Sequence, residues 1–369
     1  MDPVTERGAA SMGAAGRAPA EVAWFAALCD DDYEVLGVPD PALASSFDHC
    51  GTIVAEAERW GFDNILLPSG YALGIDAVAF ASAVAPATTR IRLLVAVRGG
   101  ELWPPQLARQ LATLDQLLGG RLTVNVISSD LPGEVLDSAG RYGRTLEVMD
   151  VLRTLLDGRR VEHSGDRYDL HLDPPRIGTV SGRCPLLYFG GLSEAARDVA
   201  ARAADVYLMW PDTEEEVAAL VADLRARADA VGRSLRFGYR VHVVVRDTEQ
   251  EARAAARALL RGLDEAEGAA IRAKSLDAGS VGVARQAALR DGADDEGYVE
   301  RHLWTGIGRA RSGCGAAVVG DPGQVAAKLE RYRALGIDAF ILSGYPHLDE
   351  CRRFGASVLP LLDHAPLGV

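Results

Sequence analysis

The stretch Ile91–Ser128, IRLLVAVRGGELWPPQLARQLATLDQLLGGRLTVNVIS, decides the fold. It opens on an apolar run, Ile91–Val97, and closes on a second, Leu122–Ser128. Both runs are rich in Val, Leu and Ile and nearly continuous, as strands buried on both faces should be. Between them lies an amphipathic stretch, Pro104–Leu118. Its leading Pro104–Pro105 suits a first helical turn, and Gly119 suits a helix C-terminus. A strand, a helix and a strand in this order pair in parallel through a right-handed crossover.

The same unit recurs on either side. Further apolar runs are Val22–Leu28, Asn64–Pro68, Leu186–Gly191, Asp205–Trp210, Phe237–Val245 and Ala339–Pro346, making eight. Helical patterns follow at Phe47–Trp60, Tyr142–Leu156, Ser193–Ala203, Thr213–Val231, Pro322–Leu335 and Leu348–Leu362. Eight such units point to an α/β fold of the closed (β/α)8 TIM-barrel type. An open doubly wound sheet would require a glycine-rich phosphate turn after the first strand. Here that strand runs into CDDDYEVLG (29–37), with three acids at the position of the phosphate. There is no GxGxxG after a strand, no GxxxxGK[ST], no HExxH and no GxSxG. The corresponding NAD, ATP, zinc-protease and serine-hydrolase readings fall away.

The beat is broken twice. Gly158–Arg183 carries HSGDRYDLHLDPP (163–175), which reads as a short hairpin or extended loop. Between the seventh and eighth strands an insertion at about 247–320 begins with a helix, Glu249–Leu263, and continues through Gly- and Asp-rich sequence. An insertion of that length is expected to form a partly mobile lid. Met1–Ala20 reads as a disordered tail, and 21–369 as a single domain.

The 369 residues include 39 basic and 52 acidic ones, a formal charge of −13. Such a chain repels phosphate backbones and anionic bilayers, which excludes nucleic-acid and membrane binding as main activities. An anionic substrate must then be met by a local cluster of arginines. Nearly all basic charge is Arg, with only Lys274 and Lys328 as lysines, a bias that fits GC-rich coding. Five widely spaced cysteines without a CxxC pair argue against a disulfide framework and a metal site, and for a reducing, cytoplasmic compartment. No apolar run approaches the ~18 residues of a membrane span.

Barrel enzymes carry their chemistry at the C-terminal ends of the strands. Arg240 and His242 lie two apart on the seventh strand and therefore share a face. They form an anion pocket if they point inward, or pair with helix carboxylates if they point outward. Tyr345 and His347 end the eighth strand, and Trp210 ends the sixth, each as a pocket wall or as plain packing. Gly190–Gly191 and Ser193 end the fifth strand and open a helix, a place for a phosphate or simply a helix cap. Arg309 and Arg311 sit in the glycine-rich GRARSGCG (308–315), where an arginine can close over an anion or remain solvated.

The chain resembles the bacterial luciferase-like flavin-dependent monooxygenases, and the alkanesulfonate monooxygenases most of all. The resemblance rests on WF (24–25), ARQLATLDQLLGGRLTVNV (108–126), RY (141–142), PLLYFGGLSEAA (185–196), YLMW (207–210) and RFGYRVHVVVRDT (236–248). It continues in LWTGIGRARSGCGAAVVGDP (303–322) and LGIDAFILSGYPHLDE (335–350), covering about 22–363. It implies a barrel that takes reduced FMN as a co-substrate from a separate NAD(P)H:flavin reductase. Dioxygen adds to the flavin, and the adduct converts an alkanesulfonate to aldehyde and sulfite. It implies Arg240, His242, Arg311, Tyr345 and Trp210 as catalytic residues. Ser128, Tyr142, Gly191, Leu192 and Ser193 would bind the cofactor, and the assembly would be a homo-dimer or homo-tetramer. Three positions depart from the family pattern: Cys29 replaces a histidine, Leu73 replaces a cysteine, and Ile127–Asp130 replaces VTGG. They line the expected substrate side. Rival readings are the same chemistry on a sulfone, amine or hydrocarbon, a deazaflavin (F420) oxidoreductase, and a non-catalytic flavin-binding subunit.

Overall fold

Eight parallel strands close on themselves in a computed structural model that describes residues 17–70, 74–134, 136–273 and 280–368. The strands of the chain are β1 (Glu21–Phe25), β2 (Asn64–Leu67), β3 (Arg92–Arg98), β4 (Leu122–Ile127), β5 (Val161–Ser164), β6 (Asp169–Leu172) and β7 (Leu187–Phe189). They continue with β8 (Val206–Met209), β9 (Arg236–Val245), β10 (Tyr298–Glu300), β11 (Leu303–Trp304), β12 (Ala317–Gly320) and β13 (Ala339–Ser343). The barrel order is β1-β2-β3-β4-β7-β8-β9-β13, and β13 pairs back onto β1. The expected (β/α)8 barrel is the observed fold.

Helices α1 (Phe47–Trp60), α2 (Ala77–Val84), α3 (Pro104–Leu117), α4 (Ser138–Leu156), α5 (Glu194–Ala203), α6 (Glu214–Ala230), α10 (Pro322–Leu335) and α11 (His347–Ser357) cover the outside, while α7 (Glu249–Ala258), α8 (Glu265–Ala273) and α9 (Val281–Asp291) belong to the insertion. Their ends follow local chemistry. The Ser46 side chain accepts from His49 N–H at the start of α1, and Gly61 ends that helix at φ 91°. Asp321 and Gln324 form a reciprocal capping box at α10. Helix α2 went unread in the sequence because AVAFASAV has no polar face to create a helical period.

Alternation along β1 shows why the strand runs are uninterrupted. Ala23 and Phe25 point into the barrel with Leu66, Leu94, Tyr188, Val206, Ala339 and Ile341. Trp24 points outward against Phe62 and Phe354, with ring centroids 5.3 and 6.1 Å away. Both faces are dry, so neither needs polar residues.

The floor of the barrel is polar and sealed. The fully buried Glu21 carboxylate accepts from Tyr188 Oη at 2.6 Å, Asn64 Nδ2 at 3.2 Å and Leu367 N–H at 3.1 Å. The C-terminal segment thus plugs the bottom. Residues 17–20, within the expected tail, also pack there: Arg333 donates to Ala18 O at 2.8 Å, and Ala20 bridges to His364. Residues 1–16 lie outside the described residues.

The hairpin expected in 163–175 is β5–β6, with Ser164 opposite Asp169. The 247–320 insertion is an annex built on β9. That strand is long enough to serve twice: Arg236–Tyr239 pairs with β8, while His242–Val245 pairs in parallel with β12. Helix α7 packs on β12 through Ala252 and Ala256. The fully buried Lys328 ties the annex to the barrel, its Nζ donating to Glu214 at 2.7 Å and to Glu300 at 2.5 Å.

Glu21→Ala removes the acceptor from three buried donors. The variant is expected to lose about 2–4 kcal/mol of stability, measured by urea denaturation, while keeping its oligomeric state.

Candidate active site

The C-terminal ends of β1, β9 and β13 converge on one cluster. Arg240 and His242 alternate with the outward-facing Tyr239 and Val241 and therefore point into the barrel. Arg240 lies over the Phe25 ring, with its guanidinium carbon 4.3 Å from the centroid. Nη1 donates to Val241 O at 3.2 Å, whereas Nη2 has no protein partner although the residue is only 3% exposed. Ser343 is the register partner of His242 on β13, and its hydroxyl donates to His242 Nδ1 at 2.7 Å. The Nε2–H donates to Cys314 O at 3.2 Å. The Tyr345 ring stacks on His242 at 5.1 Å, and the His347 ring meets Tyr345 edge-on at 5.2 Å.

The annex contributes Arg311 from above. Its Nη1 donates to Asp31 Oδ2 at 2.6 Å and to Tyr345 Oη at 2.8 Å. Trp210 stands at the end of β8 beneath the same loop, and a Cβ on Gly313 would sit 3.3 Å from its ring. All five expected catalytic residues thus belong to one region, and Arg240 and His242 take the inward orientation. Arg309 does not join them: it is exposed, and its carbonyl accepts from Arg272.

Burial sets the charges. It depresses the His242 pKa well below the ordinary value, and the nearby Arg240 and Arg311 cations depress it further. The His242 imidazole is therefore neutral, consistent with one donor and one acceptor nitrogen. Burial lowers His347 in the same direction. Its Nδ1–H donates to Phe25 O at 3.1 Å, leaving the Nε2 lone pair without a partner. Burial opposes ionisation of Asp31, but its basic neighbours, Arg311 first through its charge and its hydrogen bond, together outweigh burial and hold the carboxyl below its usual range. Arg240 is lowered by burial, and the flanking Arg311 cation adds to that.

A second cluster lies at the ends of β4 and β7. Ser128 Oγ is buried without a protein partner. Gly191 adopts φ 146°, and a Cβ there would meet Ala196 Cβ at 2.7 Å and Tyr142 Oη at 3.2 Å. At Gly190 a Cβ would lie 2.3 Å from Leu208 O. The Ser193 side chain accepts from Ala196 N–H, capping α5, and Leu192 O accepts from Arg197 Nε at 3.1 Å. The five expected cofactor residues, Ser128, Tyr142, Gly191, Leu192 and Ser193, thus border one glycine-lined rim at a helix N-terminus.

The profile of the luciferase-like monooxygenase family matches residues 24–339. The chain belongs to that family. It is 62% identical over 356 residues to the sulfoquinovose monooxygenase of Novosphingobium aromaticivorans, covering 95% of this chain and 98% of that one. Identity is 54% over 344 residues to the sulfoquinovose monooxygenase of Agrobacterium fabrum, covering 92% and 89%. In fold it is similar to the crystal structure of a long-chain alkane monooxygenase, with a TM-score of 0.74 at 20% identity and coverage of 94% and 91%. The chain is thus an oxidoreductase of the monooxygenase kind.

In this luciferase-like monooxygenase further residues, which the sequence did not single out, contact the cluster. Asp31 and Asp32 were read only as an obstacle to phosphate. In the structure Asp31 holds Arg311, while Asp32 accepts from His347 N–H at 2.9 Å and pairs with His49 Nε2 at 2.8 Å. The acidic triplet at a strand end was the available signal. Ser343 and the Cys314 carbonyl carried none, since only strand register and loop path bring them to His242. Cys29 is half-buried, its thiol pushed up to about 12 by burial and by Asp31. Leu73 lies outside the described residues. The five cysteines are all free.

Because His242 is held neutral, protonation favours the unfolded chain. The stability it contributes is present above the ordinary histidine pKa of about 6.5 and is lost as pH falls through that value. Between pH 7 and 5 the protein is expected to lose about 2 kcal/mol on this account. Urea melts across that range should show a shallower slope for His242→Gln.

Proposed function

We propose that this protein is a two-component monooxygenase that cleaves the carbon–sulfur bond of sulfoquinovose, a glucose carrying a sulfonate at C6. It takes reduced FMN from a transient NAD(P)H:flavin reductase and uses dioxygen as oxidant. The balance is R–CH2–SO3⁻ + O2 + FMNH2 → R–CHO + SO3²⁻ + FMN + H2O + H⁺. The proposal includes a cytoplasmic location and a homo-dimer or homo-tetramer. Support for the sugar sulfonate comes from the two sulfoquinovose monooxygenases, which this chain matches over nearly its whole length.

The observation that carries the reading is the unspent cation in the mouth. Arg240 is 3% exposed and its Nη2 has no partner among the described residues, so its guanidinium offers an open donor that suits an anion. A sulfonate has three acceptor oxygens to offer it.

The residues of the second cluster fit FMN. Its phosphate suits the α5 N-terminus, and Ser128 Oγ and Tyr142 Oη can donate to it. When bound, reduced FMN supplies the two electrons that activate dioxygen.

The chain's own residues do the rest. Arg240 binds the sulfonate, and Arg311 stands across from it, joined to Tyr345. Neutral His242 fixes Ser343 and the Cys314 carbonyl, holding the annex loop against β9 and excluding water from the mouth.

Anaerobic titration with reduced FMN is expected to show micromolar binding. Subsequent oxygen and sulfoquinovose should release one sulfite per flavin oxidised. Arg240→Ala should keep the barrel's circular dichroism yet lose roughly a hundredfold or more in kcat/KM for sulfite release, as loss of a buried charged contact implies. Unchanged turnover would show that the anion binds elsewhere.

A further inference from the structure

Three polar atoms around the Phe25 ring have no partner among the described residues, and they are of two kinds. Arg240 Nη2 is a donor. Asp31 Oδ1 and His347 Nε2 are acceptors. The side chains of Arg240 and His347 are 3% and 0% exposed, and Asp31 Oδ1 is likewise sealed from solvent. The groups share one neighbourhood. Arg240 and Arg311 lie 4.3 and 5.8 Å from the Phe25 centroid, and the His347 ring lies 5.5 Å from it. Asp31 is joined to Arg311.

The neighbouring acids are already occupied. Asp30 Oδ1 accepts from Ser45 N–H at 3.0 Å. Asp32 is shared among Tyr33 N–H, His347 N–H and His49. Of the triplet, Asp31 alone has a buried oxygen without a partner among the described residues.

The charges also count. Arg240 and Arg311 are cations, Asp31 is an anion, and both imidazoles are neutral. A simple alkanesulfonate would satisfy Arg240 and leave both acceptors buried and unmet, at a cost in desolvation. A polyhydroxylated sulfonate brings O–H donors on the same small molecule.

We infer that Asp31, with His347 beside it, is the specificity-determining group that accepts substrate hydroxyls and so selects a sugar sulfonate over an unsubstituted alkanesulfonate. This deepens the proposed function and rests on it. Asp31 forms a hydrogen bond to a hydroxyl through Oδ1 while Oδ2 stays on Arg311. The same carboxylate thereby positions the arginine and reads the sugar. His347 Nε2 accepts a second hydroxyl.

The test compares kcat/KM for sulfite release from sulfoquinovose and from hexane-1-sulfonate in the wild type and in Asp31→Ala. The wild type is expected to prefer sulfoquinovose. The variant should lose roughly ten- to a hundredfold on sulfoquinovose, the scale of one hydrogen bond to a charged group, and much less on hexane-1-sulfonate. The preference then collapses. A group that only held Arg311 in place would lower both substrates alike, and that outcome overturns the assignment, as does an unchanged ratio. Asp31→Leu, closer in shape, carries the same comparison if the alanine variant does not fold. A wild-type enzyme that releases no sulfite from sulfoquinovose would remove the substrate reading itself, and this assignment with it.

Discussion

Two guanidinium groups share a dry barrel mouth with a single carboxylate between them. Such an arrangement holds only if each charge has a partner, because desolvating an unpaired cation costs several kcal/mol. Arg311 has its partners in Asp31 and Tyr345. Arg240 has a ring face beneath it and one backbone carbonyl, but one of its amino groups has none. The deficit explains why the mouth is arranged as it is. The imidazoles stay neutral because burial disfavours their charged forms, and the two guanidinium charges add to that. Tyr345 stays protonated because burial disfavours its anion. Asp31 stays ionised because Arg311 is near.

The long β9 strand makes this arrangement possible. Its first half closes the barrel, and its second half extends past β8 to receive β12. Arg240 and His242 sit where those two halves meet. The annex is therefore attached next to the two residues it must cover, and Cys314 and Arg311 arrive on the short path into β12. Lys328 fastens the far side of the annex through Glu214 and Glu300, where Tyr332 also donates to Glu300 at 2.9 Å. The mouth's geometry thus rests on a parallel register and a buried ion cluster rather than on loop length.

Much of this was readable along the chain. The eight strand runs were legible because both faces of each strand are buried, so hydrophobicity is continuous and the helices between have one apolar side. Arg240 and His242 were legible as a pair because strand geometry puts residues two apart on one face. The glycines at 190–191 were legible as a special backbone position, and their reason is close packing: a Cβ would meet Leu208 O at 2.3 Å and Ala196 Cβ at 2.7 Å. Less of the annex was legible. Helices α8 and α9 and strand β12 lie in sequence whose glycines and acids resemble a loop, and their packing against β9 comes from tertiary contacts. The direction of the Arg240 side chain was also undecided, since an outward arginine with a helix carboxylate has the same sequence.

Local sequence by itself determined the barrel, its strand and helix positions, and the residue types available to the mouth. These follow from periodicity and composition, which act over a few residues. Only the tertiary structure decided which charges are paired and which remain open. Asp31 and Arg311 are 280 residues apart, and Ser343 meets His242 only through the register of two strands. Pairing of charges in a low-dielectric mouth depends on distances of a few ångströms. No local pattern encodes a distance between segments that only barrel closure brings together.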